Sequence, residues 1–310
     1  MIKVFIDGKE GTTGLQIYDR LKKRDDIQLI TLPEELRKDV SARRECLNGA
    51  DIDILCLPDA AAVESVSLVE NPDVKIIDAS TAHRTNHEWV YGLPELSAER
   101  RREIERAKRV ANPGCYATGF ITLVAPLIKA GIASNDYPFV AHAVSGYSGA
   151  GKKAIAEYES ADRDKSLSSP REYALTLSHK HIPEMVNECA LTRKPVFCPY
   201  ICDFYSGMCV TVPVFRQLLV KKYTVKDIRE FFAEYYARQN FVKVLPEDAN
   251  LKFLPANSYA GTNDLRIFVG GNEEQILLAS TFDNLGKGAS GAAVQNLNIM
   301  CGIDECKSLI

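Results

Sequence analysis

Residues 1–6 are short, apolar and rich in β-branched side chains, and they run directly into Asp7-Gly8-Lys9-Glu10-Gly11-Thr12-Thr13-Gly14. Residues 15–21 then continue with helical spacing. Strand, glycine-rich turn and helix in that order predict the opening unit of a Rossmann-like, dinucleotide-binding sheet. In that unit Gly8 allows the tight turn, Gly11 lets the backbone approach a pyrophosphate, and Gly14 permits close packing of helix on strand. The spacing here is G-x-x-G-x-x-G, whereas the usual fingerprint is G-x-G-x-x-G. The place of the turn after an opening strand therefore carries as much of the inference as its glycines.

The same rhythm continues along the chain. Runs 27–32, 52–57 and 74–78 read as strands and 60–70 as a helix, and such alternation argues for a parallel sheet covered by helices. Ligands on these sheets bind at the carboxyl ends of the strands, here 8–14, 57–59 and 79–81. Past the second strand come Glu34 and Glu35, then Arg37, Lys38, Arg43 and Arg44. The cations suit a ribose 2′-phosphate and hence NADP, while Glu34 keeps NAD open. Interleaved charges over 97–109 predict an exposed helix.

Beyond residue 115 the character changes. Runs 139–144, 195–201, 208–214, 265–269 and 275–280 are strand-like and separated by long connections, which predicts an antiparallel or mixed sheet. A helix is expected within 223–239, capped by Thr224, and a closing helix over 291–301. The expected class is α/β: a dinucleotide-binding domain over 1–114, completed by 285–310, and an α+β substrate and oligomerisation domain over 115–284.

Asn112-Pro113-Gly114-Cys115 interrupts the backbone immediately before an apolar, helix-compatible run over 117–128. A cysteine there lies among backbone N–H groups without intrahelical acceptors, which favours thiolate over thiol. Cys115 is thus the candidate nucleophile, against the common alternative of a buried structural thiol. Ser178-His179-Lys180-His181-Ile182-Pro183-Glu184 offers two candidate acid/base histidines, and in an extended segment both would face one way. Ser145-Gly146-Tyr147-Ser148-Gly149-Ala150-Gly151-Lys152 has the composition of a phosphate-holding loop. Arg84 is a candidate ligand for a substrate carboxylate.

Composition narrows the function classes. A net charge of −3 gives no electrostatic reason to expect nucleic acid or an anionic membrane as partner. No window is apolar enough to span a bilayer, and no signal peptide is expected. Nine cysteines without framework spacing suit a reducing, cytoplasmic compartment. Cys198, Cys202 and Cys209 lack a C-x-x-C pair, so burial is expected there and no metal site.

Six motifs occur together: Gly11-Thr12-Thr13-Gly14, Tyr91-Gly92-Leu93-Pro94-Glu95-Leu96, Asn112 to Cys115, Ser145 to Gly151, His179 to Glu184, and Lys287-Gly288-Ala289-Ser290-Gly291-Ala292-Ala293-Val294-Gln295-Asn296. In that order they resemble the short-form N-acetyl-γ-glutamyl-phosphate reductases over essentially the whole chain. The aspartate-semialdehyde dehydrogenases share the architecture and the cysteine strategy, but the double-histidine and Tyr91 motifs favour the former. The resemblance implies NADPH-dependent reduction of an acyl phosphate to an aldehyde with release of inorganic phosphate, in arginine biosynthesis, by a homodimer or homotetramer. It implies Cys115 and His181 as catalytic pair. Cofactor contacts would come from Gly8, Gly11, Thr12, Thr13, Gly14, Ser80, Asn284 and Gly288, and substrate contacts from Arg84, Ser145, Gly149 and His179. A cysteine hydrolase or acyltransferase would leave the glycine turn unexplained, and a redox-sensing nucleotide-binding protein would leave Cys115 and His181 unexplained.

Overall fold

A computed structural model describes residues 1–247 and 251–310, and the chain divides into two compact units, Met1–Gly114 with Ala289–Ile310, and Cys115–Gly288. The first unit opens with β1 (Ile2–Asp7), α1 (Thr12–Leu21), β2 (Ile27–Ile30), α2 (Val40–Gly49), β3 (Ile52–Leu55), α3 (Asp59–Leu68) and β4 (Lys75–Asp78). It continues through β5 (Val90–Tyr91), α4 (Ala98–Arg106) and β6 (Arg109–Ala111). The six strands form a parallel sheet in the order β2-β1-β3-β4-β6-β5. Strand order reverses between β1 and β3, and the crevice at such a point is where open α/β sheets take their ligands. Every residue of β3 is buried, as a strand covered on both faces requires. Phe5, Ile76, Leu47, Ala62 and Leu68 pack one core cluster of this sheet.

The second unit contains α5 (Cys115–Lys129), β7 (Val140–Gly146), α6 (Lys152–Glu159), β8 (Arg171–Glu172), α7 (Ile182–Glu188), β9 (Val196–Cys202) and β10 (Met208–Phe215). It ends with α8 (Val225–Tyr235), β11 (Val242–Val244), β12 (Leu265–Gly271) and β13 (Gln275–Phe282). Its seven-stranded sheet runs β11-β12-β13-β10-β7-β9-β8, with β7–β9 and β11–β12 parallel and the other pairs antiparallel. The sheet is therefore mixed, the second of the two expected forms. Thr224 caps α8 through a full capping box with Asp227.

Helix α5 carries a proline, Pro126, in its interior. A proline there leaves the carbonyl four residues earlier without its N–H donor. That carbonyl belongs to Thr122, and the Tyr236 hydroxyl donates to it at 2.7 Å. A side chain from just beyond α8 thus replaces the missing backbone bond.

The chain re-enters the first unit in α9 (Gly291–Met300), every residue of which is buried. The Asn296 amide donates to the Gly92 carbonyl at 2.9 Å and to Asn112 Oδ1 at 3.2 Å, while Gln295 donates to Glu95 at 2.8 Å. Gly92 has to be glycine, since a Cβ would lie 2.4 Å from the Asn296 amide. Between these two compact units the change-over falls between 288 and 289. Gly286 and Gly288 pack on Thr262, Asp283 and Cys115 of the second unit, which keeps the glycine-rich entry with that unit. Short elements α2, α6 and α7 and the short strands β5 and β6 leave no clear signal in the sequence, and Arg109 begins β6 and does not end the charged helix.

Candidate functional site

Two sites result, one in each unit. In the first, Gly8 takes a left-handed φ of +85° and a Cβ on it would lie 2.5 Å from the Cys56 carbonyl oxygen. Only glycine fits both demands. Gly11 closes the turn by donating to the Gly8 carbonyl at 3.0 Å and stands as N-cap of α1. Gly14 is buried, and a Cβ there would meet the Gly8 carbonyl at 2.6 Å. The first-turn N–H groups of α1, at Thr12, Thr13 and Gly14, precede the first intrahelical bond, which Leu15 donates to Gly11. Such a helix start favours a phosphate group. Thr12 Oγ1 is buried without a hydrogen-bond partner among the described residues, which fits a ligand oxygen arriving at this turn. The residues present therefore fit a dinucleotide.

A cleft of about 370 Å³ opens beside the turn, walled by Gly8 to Gly11, Tyr18, Leu29 to Leu32, Glu34, Arg37, Lys38 and Cys56 to Pro58. Arg43 is not among the wall residues. It is buried, and it donates to Asp7 Oδ2 at 3.0 Å, to Glu64 at 2.8 Å and to Ser65 at 2.6 Å. Arg44 pairs with Glu70 at 2.7 Å. Of the four cations expected near the 2′-phosphate, Arg37 and Lys38 reach the cleft, and Arg43 neutralises the carboxylate at the end of β1.

Ser80 follows β4 and is buried; its hydroxyl donates to Asp78 Oδ2 at 2.7 Å, and its N–H donates to Oδ1 at 2.8 Å. His83 Nδ1 lies 2.6 Å from the same carboxylate, its ring stacked on Trp89. Arg84 is also buried; Nε donates to the Asn112 carbonyl at 2.9 Å and Nη2 to that of Ala79 at 3.0 Å. Asn112 in turn donates to the Ala289 carbonyl at 3.0 Å. The Asn112 motif is thus held by β4, Arg84 and the approach to α9. Glu95 of the Tyr91 motif and Gln295 brace each other in the interior of the first unit.

The second site centres on Cys115, the first residue of α5. Its thiol lies at the positive end of the helix dipole, beside first-turn N–H groups that precede the intrahelical bonds. Gly288 lies so close that a Cβ would come within 2.8 Å of the Cys115 Cβ. Burial raises the other eight thiols, Cys56 up to about 12 and Cys301 up to about 11. None of the nine cysteines is in a disulfide.

Next to Cys115, the Tyr116 ring gathers the two candidate histidines and further aromatic rings. Its centroid lies 5.7 Å from His179, 5.9 Å from His181, 6.4 Å from Tyr173 and 5.3 Å from Phe197. Burial, then the neighbouring Tyr173 and Cys115, hold the Tyr116 phenol well above its usual range. Sequence reading missed Tyr116 and Tyr173; the tyrosine adjoining the nucleophile in the first helical turn was the available signal.

His179 and His181 do not lie in an extended strand. His181 is the N-cap of α7, with φ −89° and ψ −9°, and Pro183 follows in the first turn of the helix. The two rings meet edge to face at 4.7 Å. His179 Nδ1 accepts the His181 backbone N–H at 3.1 Å, and its Nε2 lies 3.4 Å from the Tyr173 hydroxyl. His179 thereby accepts through Nδ1 and turns Nε2 toward the Tyr173 hydroxyl.

The expected phosphate loop is the end of β7, a 3-10 turn over Tyr147–Ala150, and the start of α6. The Asn284 amide braces this turn by donating to Ser148 Oγ at 3.0 Å, and Asn284 Oδ1 accepts from Gly207 at 2.8 Å. A Cβ on Gly149 would lie 3.0 Å from Asn284 and 3.4 Å from Ser145 Oγ, so these three sit together. Among the described residues no group of three or more His, Cys, Asp and Glu side chains is placed to hold a metal ion, and no helix is long and apolar enough to cross a membrane.

Residues 31–104 match the semialdehyde dehydrogenase NAD-binding domain, and residues 115–284 the semialdehyde dehydrogenase dimerisation domain. The N-acetyl-gamma-glutamyl-phosphate reductase of Burkholderia cenocepacia is 48% identical over 303 residues, 96% of this chain and 97% of its own. N-acetyl-gamma-glutamyl-phosphate reductase 2 of a Nostoc species is 48% identical over 314 residues, covering 98% of both chains. Aspartate semialdehyde dehydrogenase of Francisella tularensis superposes with a TM-score of 0.72 at 16% identity, over 97% of this chain and all of that one. The second Vibrio cholerae enzyme of that name gives 0.70 at 14%, over 97% and 98%. At such identities those two show the fold, a parallel-sheet nucleotide domain with a second, mixed-sheet domain. The chain belongs to the N-acetyl-gamma-glutamyl-phosphate reductase family.

Proposed function

We propose that this protein reduces N-acetyl-γ-glutamyl phosphate to N-acetylglutamate 5-semialdehyde, with NADPH as reductant and inorganic phosphate as leaving group, as a step in arginine biosynthesis. The observation that carries this reading is Cys115 at the first turn of α5, with His179 and His181 gathered around the adjoining Tyr116 ring.

The Cys115 thiolate attacks the acyl carbon, the C–O bond to phosphate breaks, and a thioester forms on the sulfur. First-turn N–H groups of α5 offset negative charge developing beside them. Bound NADPH supplies the hydride that reduces the thioester carbon. His181 gives a proton to the resulting oxyanion, then takes it back as the C–S bond breaks to release aldehyde and regenerate the thiolate. His179, held through both ring nitrogens, orients the site. Ser145 and Gly149, on the turn braced by Asn284, receive the phosphate. Asn284 and Gly288 keep their cofactor assignment from the family resemblance, and both border the turn or the sulfur at which the chemistry occurs. Arg84, fixed by two carbonyls, contributes the cation beside Asn112 that favours an anionic substrate.

The nucleotide is held at Gly8, Gly11, Thr12, Thr13 and Gly14. Ser80 keeps its cofactor assignment from the family resemblance, with both its hydroxyl and its N–H already serving Asp78. The homo-oligomer uses the second unit, where Pro213, Phe215, Leu218, Val220 and Leu277 are exposed at the close of β10, just after it and at the start of β13. Nine thiols without a disulfide suit a reducing, cytoplasmic setting.

Phosphate-dependent oxidation of N-acetylglutamate semialdehyde, run beside aspartate semialdehyde, tests the reading. Cys115→Ser should fold, bind NADPH and lose turnover. Comparable turnover by that variant removes the covalent route. Preference for aspartate semialdehyde moves the protein to the other branch of the superfamily, and thiol-dependent hydrolysis without nicotinamide oxidation moves it to the hydrolase class.

A further inference from the structure

Lys9 lies inside the glycine turn, between the residue that makes the turn and the one that caps α1. Its Nζ sits 4.5 Å from the centroid of the Tyr18 ring, on α1. Its nearest carboxylate is Glu10, at 3.9 Å, more than half exposed. Both Lys9 and Tyr18 line the cleft beside the turn, facing a wall that contains Glu34, Arg37 and Lys38.

We propose that Lys9, preset by the Tyr18 ring, is the principal cation that distinguishes an adenosine 2′-phosphate from a 2′-hydroxyl in this protein. The inference rests on NADPH as the cofactor and names the residue that carries that preference. Three observations set Lys9 apart from the cations after β2. Its backbone is immobilised, because Gly8 abuts the Cys56 carbonyl and Gly11 bonds back to Gly8. Its ammonium is already placed by a cation–π contact, so less side-chain freedom is lost on binding. Arg37, by contrast, is about half exposed and pairs with an exposed Glu34 at 3.4 Å.

The Glu34–Arg37 pair has a complementary effect. An acid at this place would accept a ribose hydroxyl and favour NAD. With Arg37 drawn to it, Glu34 repels a 2′-phosphate less. The Lys9–Glu10 contact is long and solvent-exposed, so a phosphate dianion displaces it at little cost. Arg43 contributes by cancelling the Asp7 charge next to the turn.

Binding of 2′,5′-ADP and of 5′-ADP to the full chain, measured calorimetrically, decides the matter without turnover. Lys9→Gln should weaken 2′,5′-ADP by about tenfold or more and leave 5′-ADP within about twofold. Tyr18→Leu should weaken 2′,5′-ADP several-fold, and Tyr18→Phe, which keeps the ring, should restore it. Unchanged 5′-ADP binding also certifies that the variants are folded. Equal loss of both nucleotides would put Lys9 on the pyrophosphate and overturn the inference. A wild-type preference for 2′,5′-ADP that survives in Lys9→Gln overturns it too, while leaving the NADPH reading intact. Equal affinities in the wild type overturn the NADPH reading itself.

Discussion

Asp53 lies in the middle of β3, fully buried, with neither carboxylate oxygen hydrogen-bonded among the described residues. In the sheet register it stands between Phe5 and Ile76, both members of an apolar core cluster. Burial, reinforced by Asp7, pushes its carboxyl up to about 9, and Arg109 only partly opposes this. The folded protein therefore retains a proton that the unfolded chain releases near pH 4. Between those two values the native state binds more protons, so stability falls as pH rises. Each pH unit in that window costs about 1.4 kcal/mol, or about 3 kcal/mol from pH 5 to pH 7. Asp53→Asn keeps the shape of the neutral acid and removes the titration. It should match the wild type near pH 4 and exceed it increasingly toward pH 7. Urea unfolding followed by Trp89, the one tryptophan and a residue of the first unit, reports the relevant unit. Taking the difference between variant and wild type cancels other titrating groups. Parallel pH profiles for the two proteins would mean that Asp53 is ionised in the native state, and the desolvation argument would fail.

His181→Asn should lower kcat by at least about 10²-fold, the lower range for removing a general acid/base. His179→Asn should lose much less, since its ring nitrogens hold a backbone N–H and the Tyr173 hydroxyl; the reverse ranking assigns the chemistry to His179. Replacing Arg37 and Lys38 together should raise the NADPH Michaelis constant and leave that for NADH nearly unchanged, and equal changes would point to a general effect on the fold. Iodoacetamide at neutral pH should label Cys115 first, because burial raises the other eight thiols, and peptide mapping that finds another site first contradicts this. Tyr236→Phe should cost about 1–2 kcal/mol by leaving the Thr122 carbonyl unsatisfied inside α5, measured by denaturation of the second unit.

The alternating strands and helices of the first unit were legible because β1, β3 and β4 are short apolar runs bounded by turn residues, and the five principal strands of the second unit were found for the same reason. Cys115 was legible from the Pro113-Gly114 interruption before it. What escaped was set by tertiary partners. Arg43 has the sequence neighbours of a surface cation, yet Asp7 and Ser65 draw it inside. The histidine segment was read as extended, but Pro183 occupies the first turn of α7, where its missing N–H has no cost. Helix α2 has weak apolar periodicity, with Arg43 and Leu47 as its buried residues, and so gave no stripe to read. The glycine motifs identified a binding turn but not Lys9 or Tyr18, whose contact exists only once α1 has formed.

The return of α9 to the first unit has a consequence for biosynthesis on the ribosome. The segment Cys115–Gly288 is continuous, so all of its partners have been made once Gly288 is added. The first unit begins earlier but finishes last. Until the closing residues emerge, the Gly92 carbonyl lacks Asn296, Glu95 lacks Gln295, and Asn112 lacks the Ala289 carbonyl. Translation order therefore inverts completion order: the unit that bears the thiol can mature while the nucleotide unit still waits for its final helix. A nascent chain stalled just short of α9 would carry a finished second unit, Cys115 included, with a first unit that is still open.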